Sequence, residues 1–199
     1  MAFNDRSTPL SLLQTRRSGK PRDMIAPGPS PEQLRAMVAI AARTPDHGKL
    51  APWRFVTVPE AARVALSERM QQIFAEERPD ATSRDLESVE QFVLQAPALV
   101  VVLSAPIVGH KIPLWEQELS AGAACMNLLH AAHAMRFVGS WLTGWAAYSD
   151  KVRDLFGAAP QRIAGFVFIG TPGRDLEERP RGQLSEIARI WDPATGPRA

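Results

Sequence analysis

Three short stretches of this chain gather side chains that could do chemistry. Thr44-Pro45-Asp46-His47-Gly48-Lys49-Leu50-Ala51-Pro52-Trp53-Arg54 puts a carboxylate, an imidazole, an ammonium, an indole and a guanidinium into one loop. Two prolines and a glycine hold that loop out of regular structure. Its donors, cation and flat aromatic suit a planar anionic ligand; equally, it is a polar connector whose Trp53 plugs the core. Thr15-Arg16-Arg17-Ser18-Gly19-Lys20 offers two guanidiniums, a hydroxyl and an ammonium. Such a set can grip a phosphate, because the arginine fork matches its oxygens. It also reads as a solvated helix end, where cations favour the helix dipole. In Phe137-Val138-Gly139-Ser140-Trp141-Leu142-Thr143-Gly144-Trp145, glycines flank a Trp-Leu-Thr segment. Glycine in a strand marks close approach by a ligand or another backbone, and the ligand is the favoured reading here over a bulge.

The elements that must position these residues follow from periodicity. Ser7-Thr8-Pro9 starts a short helix through Leu10, Leu12 and Leu13, with a hydroxyl cap and an early proline. Residues 21–29 read as a linker. Ser30-Pro31-Glu32-Gln33 opens a second helix with a capping box, and its core face is Leu34, Met37, Val38 and Ala41. Strand Phe55–Val58 and two helical runs follow, to Phe74 and to Gln95. Ala98–Leu103 is a continuous apolar run that fits a strand buried on both faces. The longest helical pattern runs from about Leu114 to Met135, its middle built of small residues, Ala121 to Met126. Near-complete apolarity predicts a buried central helix and a subunit contact. Cys125 within it reads as a small hydrophobe. His130 and His133 lack a partner with ligand spacing, so no metal site is expected. Ile163–Ile169 is the last core strand. The tail from Arg174 carries charges and then Leu184, Ile187, Ile190 and Trp191, and reads either as an arm docked on a neighbouring subunit or as a frayed end.

Composition narrows the function classes. With 199 residues, 45% hydrophobic, the chain can form a single domain, 1–199, with a real core. A net charge of +2 argues against a nucleic-acid surface. One cysteine excludes an internal disulfide and suits a reducing cytoplasm. The N-terminus has no hydrophobic signal core and no apolar run spans a bilayer, so a cytoplasmic protein without a membrane partner is expected. There is no Gly-x-Gly-x-x-Gly and hence no dinucleotide fold of its own.

Taken in order, Arg16-Arg17-Ser18, Pro45-Asp46-His47-Gly48-Lys49 closed by Pro52-Trp53, Lys111…Trp115-Glu116-Gln117, Gly139-Ser140-Trp141-Leu142-Thr143-Gly144 and Gly170-Thr171-Pro172 resemble the FMN-dependent nitroreductase family. The similarity is greatest to its small YdjA-like NAD(P)H nitroreductase subgroup, and it runs roughly from Leu10 to Trp191. The resemblance implies an α+β fold: a central mixed β-sheet flanked by helices, with a long central helix, in an intertwined homodimer with FMN at the subunit interface. It implies that Arg16, Arg17 and Ser18 hold the phosphate and ribityl chain, completed by Arg181 or Arg179. Asp46, His47 and Lys49 then reach the cofactor from the other subunit, and Ser140, Trp141, Leu142, Thr143 and Gly144 lie along the isoalloxazine. The implied activity is NAD(P)H-dependent, ping-pong reduction of nitroaromatics, quinones or similar electron-poor acceptors. No catalytic acid–base residue is needed, since the flavin transfers the hydride, and Lys49 or an arginine of the Arg16-Arg17 pair is the flavin-tuning cation. The alternative is a flavin-binding carrier or sensor without turnover. Two departures from the family pattern stand out: Ala51 where many members have glutamine, and Asp46-His47 where others have an asparagine-rich loop.

Overall fold

In the computed structural model, residues 3–191 are described. Strand β3 (Ala98–Ser104) is the axis of the sheet, and its residues are buried without exception. Alternation sends Leu99, Val101 and Leu103 into one core and Ala98, Val100 and Val102 into the other, as a period-two strand covered on both faces must do. On β3's two edges lie β2 (Trp53–Val58) and β5 (Arg162–Pro172). β5 also pairs with β4 (Val138–Leu142), and its end takes the two-residue β1 (Met24–Ile25).

Every described pairing is antiparallel, which corrects the expected mixed sheet. β2 and β3 are joined through two helices, α3 (Arg63–Glu77) and α4 (Ser83–Leu94), so the chain returns reversed. β3 and β4 share a direction across the long helix α5 (Leu114–Ala134), but β5 is inserted between them and opposes both. β1 falls inside the stretch read as a linker; two residues between prolines carry no readable period.

One face of the sheet packs Met70, Ile73 and Phe74 of α3 and Val89 and Val93 of α4. The other packs Met37 and Ala41 of α2 (Pro31–Ala41) and Cys125, Leu128, Leu129 and Ala132 of α5. Ser30 caps α2 through the reciprocal bonds expected of Ser-x-x-Gln. Burial pushes the Cys125 thiol up to about 12, so it is an inert core residue. Arg63 is buried and donates to the Gln95 and Ala96 carbonyls at 3.2 and 2.7 Å, closing the C-terminal end of α4. The remaining described elements are four short α-helices, α1 (Pro9–Thr15), α6 (Trp145–Tyr148), α7 (Asp150–Arg153) and α8 (Leu184–Ile187), and three single 3-10 turns, Pro21–Asp23, His47–Lys49 and Glu60–Ala62.

A candidate anion and ring site beside the central helix

The arginine stretch leaves α1 in extended backbone, with Arg16 as its C-cap at ψ 125°. What fixes it there is a residue the sequence reading passed over. Asn4, in the left-handed region at φ 54°, accepts the Arg17 N–H at 2.8 Å and donates to the Arg17 carbonyl at 3.1 Å. Its own N–H bonds to the Thr15 carbonyl at 3.0 Å. Asparagine is among the few residues that visit this region readily. An isolated asparagine ahead of a helix cap has no sequence signature, so only the fold reveals its role.

This clamp uses backbone groups and leaves the guanidiniums free to face a cavity of about 400 Å³. Its walls bring together Arg16, Arg17, Ser18 and Lys20, the strand residues Ser140, Trp141 and Leu142, and Arg179 and Arg181 of the tail. Three stretches far apart in sequence therefore meet. Arg16 donates to the Ser18 hydroxyl at 3.2 Å, and among the described residues no carboxylate lies within ion-pair distance of it. Burial, then Arg181, then Arg17, lower its pKa. A guanidinium crowded by like charges and without a carboxylate of its own favours an anion.

The ring end of the cavity is set by β4. Ser140 lies opposite Phe168 and Trp141 opposite Val167. The Trp141 indole donates to the Ala164 carbonyl at 2.9 Å and lies over Gly165, where a Cβ would come within 2.2 Å of its ring carbon Cδ1. Gly139 has a packing reason: a Cβ there would meet Leu129 of α5 at 2.7 Å. The favoured ligand reading of that glycine gives way to close helix approach. Behind it, His133 is fully buried and its Nε2 accepts the Gly139 N–H at 3.1 Å. Desolvation, then Arg16 and His130, hold its pKa down to about 3, so it stays neutral with its proton on Nδ1. No group of three metal-ligating residues occurs among the described residues.

Thr143 and Gly144 are not in this cavity. β4 ends at Leu142 and the two residues turn into α6, where they line a separate, mostly apolar cavity with Phe74, Phe92 and Trp145. Asp46, His47 and Lys49 are also not brought to it within the protomer. Their loop lies against the first half of α5: His47 Nδ1 meets Glu116 at 2.8 Å, and Ser120 donates to the Pro45 carbonyl at 2.7 Å. The Asp46 carboxylate accepts the Ala51 N–H at 2.6 Å, so it serves the loop's own turn. Lys49 has no ion-pair partner among the described residues. Trp53 is buried against Ala121 and Ala124, as the plain reading expects. Buried Gln117 bonds both the Ile107 N–H and the Ile112 carbonyl, tying down the segment before α5.

The fold has known counterparts. The nitroreductase family model matches residues 13–171, and the chain belongs to that family. It is 35% identical over 166 residues to the Escherichia coli K12 protein named "Putative NAD(P)H nitroreductase YdjA", covering 82% of this chain and 87% of that one. A Haemophilus influenzae relative with the same activity in its name is 35% identical over 173 residues, or 85% and 91% of the two chains. Among solved structures, a nitroreductase-like family protein from Bacillus cereus superposes with a TM-score of 0.80 at 21% identity, over 94% of this chain and 97% of that one. A nitroreductase with bound FMN from Bacteroides fragilis gives 0.68 at 20% identity, over 92% and 98%.

Proposed function

We propose that this protein is an FMN-dependent oxidoreductase that takes electrons from NAD(P)H and passes them to nitroaromatics, quinones or similar electron-poor acceptors in a ping-pong cycle. The observation that carries the reading is the convergence of Arg16, Arg17, Lys20, Arg179 and Arg181 with Ser18, Ser140 and Trp141 on one cavity. These residues fit the cofactor's two ends. Crowded, incompletely neutralised guanidiniums suit a phosphate. The Ser140–Leu142 strand and the indole, pinned over Gly165, suit a planar ring. Bound there, the flavin supplies the hydride chemistry. The chain's own part is to hold the phosphate through Arg16, Arg17 and a tail arginine, orient the ring along β4, and exclude water from one side with α5.

The reading includes a homodimer in which the Asp46–Lys49 loop of one protomer approaches the cofactor of its partner. Supporting this are large apolar side chains left exposed on three elements: Leu10 and Leu13 of α1, Trp115 and Leu119 of α5, and Ile190 and Trp191 of the tail. Charged loop residues beside exposed aromatics are what an interface-borne site needs. No helix among the described residues is long and apolar enough to cross a membrane, and the lone buried cysteine fits the proposed cytoplasmic setting.

The test is an absorption spectrum of purified protein, repeated anaerobically after NADH or NADPH is added. A bound flavin that bleaches supports the reading and identifies the better donor. Flavin that stays oxidised would mean a carrier, and protein that takes up no FMN would overturn the proposal.

A further inference from the structure

The tail that brings Arg179 and Arg181 to the cavity also brings carboxylates, and one of them is aimed at the cations. Oε1 of Glu178 accepts the Arg179 N–H at 2.7 Å. The same oxygen lies 3.5 Å from Arg181 Nη2 and 3.9 Å from Arg17 Nε. A single carboxylate oxygen thus accepts one backbone hydrogen bond and lies within ion-pair range of two guanidiniums, surroundings that a phosphate oxygen would improve on by taking their hydrogen bonds. Glu177 differs: its carboxylate pairs with Lys20 at 3.2 Å, while its backbone carbonyl takes the Arg17 Nε–H. Glu177 therefore anchors the tail, whereas Glu178 engages the guanidiniums that line the cavity. Arg16, without an acidic partner among the described residues, is outside its reach.

We propose that Glu178 is an internal competitor for the phosphate subsite: its carboxylate and an incoming phosphate contend for Arg17 and Arg181, and the exchange sets which anions the cavity accepts. A dianion gains enough from the full cation set to displace one exposed carboxylate, while a monoanion gains little. The residue thereby makes the site selective for a phosphorylated ligand over weaker anions. The proposal rests on the cofactor reading only for the identity of the phosphate as that of FMN.

The experiment compares flavin-free wild-type protein with Glu178→Gln, which keeps size and hydrogen bonding at an exposed position, and with Glu90→Gln as a charge-matched control on α4. Exposed ion pairs of this kind are worth about 0.2–1 kcal/mol, so FMN should bind Glu178→Gln about 1.4- to 5-fold more tightly. Riboflavin, lacking the phosphate, should bind it unchanged, and the control should bind FMN as wild type does. Inorganic phosphate should raise the melting temperature of Glu178→Gln more than that of wild type. Equal or weaker FMN binding by the variant, or an equal gain for riboflavin, would overturn the proposal. If no protein takes up FMN, the cofactor reading fails, and the phosphate-dependent melting shift alone decides: a larger shift for Glu178→Gln sustains internal competition, an equal one ends it.

Discussion

Helix α5 supports a polar loop at one end and the cation cavity at the other, and the two are held in opposite ways. At the cavity end, the fixing bonds go to backbone: Asn4 grips both polar groups of the Arg17 peptide unit, leaving guanidiniums to crowd. At the loop end, side chains are used up in holding the loop itself, Asp46 on the Ala51 N–H and His47 on Glu116. The backbone there is strained: Lys49 and Ala51 are non-glycine residues at positive φ. The cavity end is assembled within one chain, with Arg16 clear of any carboxylate among the described residues and Arg17 and Arg181 sharing the exposed Glu178. The loop end is a shaped surface on which Lys49 has no ion-pair partner among the described residues, and the helix it lies against exposes Trp115 and Leu119. In the proposed homodimer, the exposed and strained loop end is the half of the site that the second copy would complete.

The strongest way to break this comparison is to remove a bare cation. Arg16→Ala should weaken FMN binding by about 10- to 100-fold, the loss expected for a charge-assisted hydrogen bond of roughly 1.5–3 kcal/mol. Its melting temperature should hold or rise, because a partly buried cation with like-charged neighbours leaves. Flavin fluorescence titration and a thermal melt on the same sample check both. A fall in stability with unchanged binding would make Arg16 a structural residue.

Acid should act on the cavity end first. The His133 pKa is held down to about 3 in the folded protein, against about 6.5 in an unfolded chain. Above pH 6.5 both states are neutral and the site costs nothing. As pH falls from there toward 3, the unfolded state takes up the proton and the folded state does not, so stability is lost progressively. Between pH 7 and pH 4 this amounts to about 3 kcal/mol. His133→Gln, whose Oε1 can still accept the Gly139 N–H, should remove most of that acid sensitivity in denaturant titrations at the two pH values. An unchanged pH profile would locate the sensitive group elsewhere.

Gly165→Ala tests the ring wall of the same cavity. A Cβ there must push the Trp141 indole off the Ala164 carbonyl. Overpacking should cost about 1–3 kcal/mol, and FMN should bind less well because Trp141 lines the cavity.

Much of this was legible in the residues. β3 could be read because a strand buried on both faces has to be continuously apolar, and α5 because small residues repeat along it. Two of the cavity's contributing stretches could be named from their residues, since guanidiniums beside a hydroxyl and glycines around an indole each point to a chemistry; the tail arginines were named only through the family resemblance. Their meeting could not be read from any one of them; it depends on β5 inserting between β3 and β4, a long-range pairing that leaves no local pattern. Asn4 escaped notice because a backbone clamp looks like any polar residue. Gly139 was ambiguous for a related reason: sequence shows that something comes close, and only packing shows that it is Leu129. Thr143 and Gly144 read as part of the strand because nothing in Leu-Thr-Gly-Trp announces the turn that carries them to a different cavity.

The smallest expected effect sharpens the comparison most. Ala51 at φ 46° and Arg136 at φ 73° are both non-glycine residues in the left-handed region, one in the loop and one just past the C-terminal end of α5. At either position, glycine relieves a conformational cost of about 1–2 kcal/mol and adds back about 0.4–1 kcal/mol of unfolded-chain entropy. Each substitution should thus stabilise by about 0.5 kcal/mol, a rise of roughly 1–2 °C in melting temperature for a chain of this size. Their effects on turnover should differ. Arg136→Gly completes an ordinary helix end, and the rate of NAD(P)H oxidation with FMN should not change. Ala51→Gly loosens the turn that the Asp46 carboxylate closes, so the loop should present Lys49 less uniformly and turnover should fall about two-fold for the same gain in stability, since strain at a functional loop is exchanged for pre-organisation. Equal turnover in both variants would mean that the strain at Ala51 is a consequence of chain geometry alone, and that the loop end contributes surface to the assembly without contributing to the reaction.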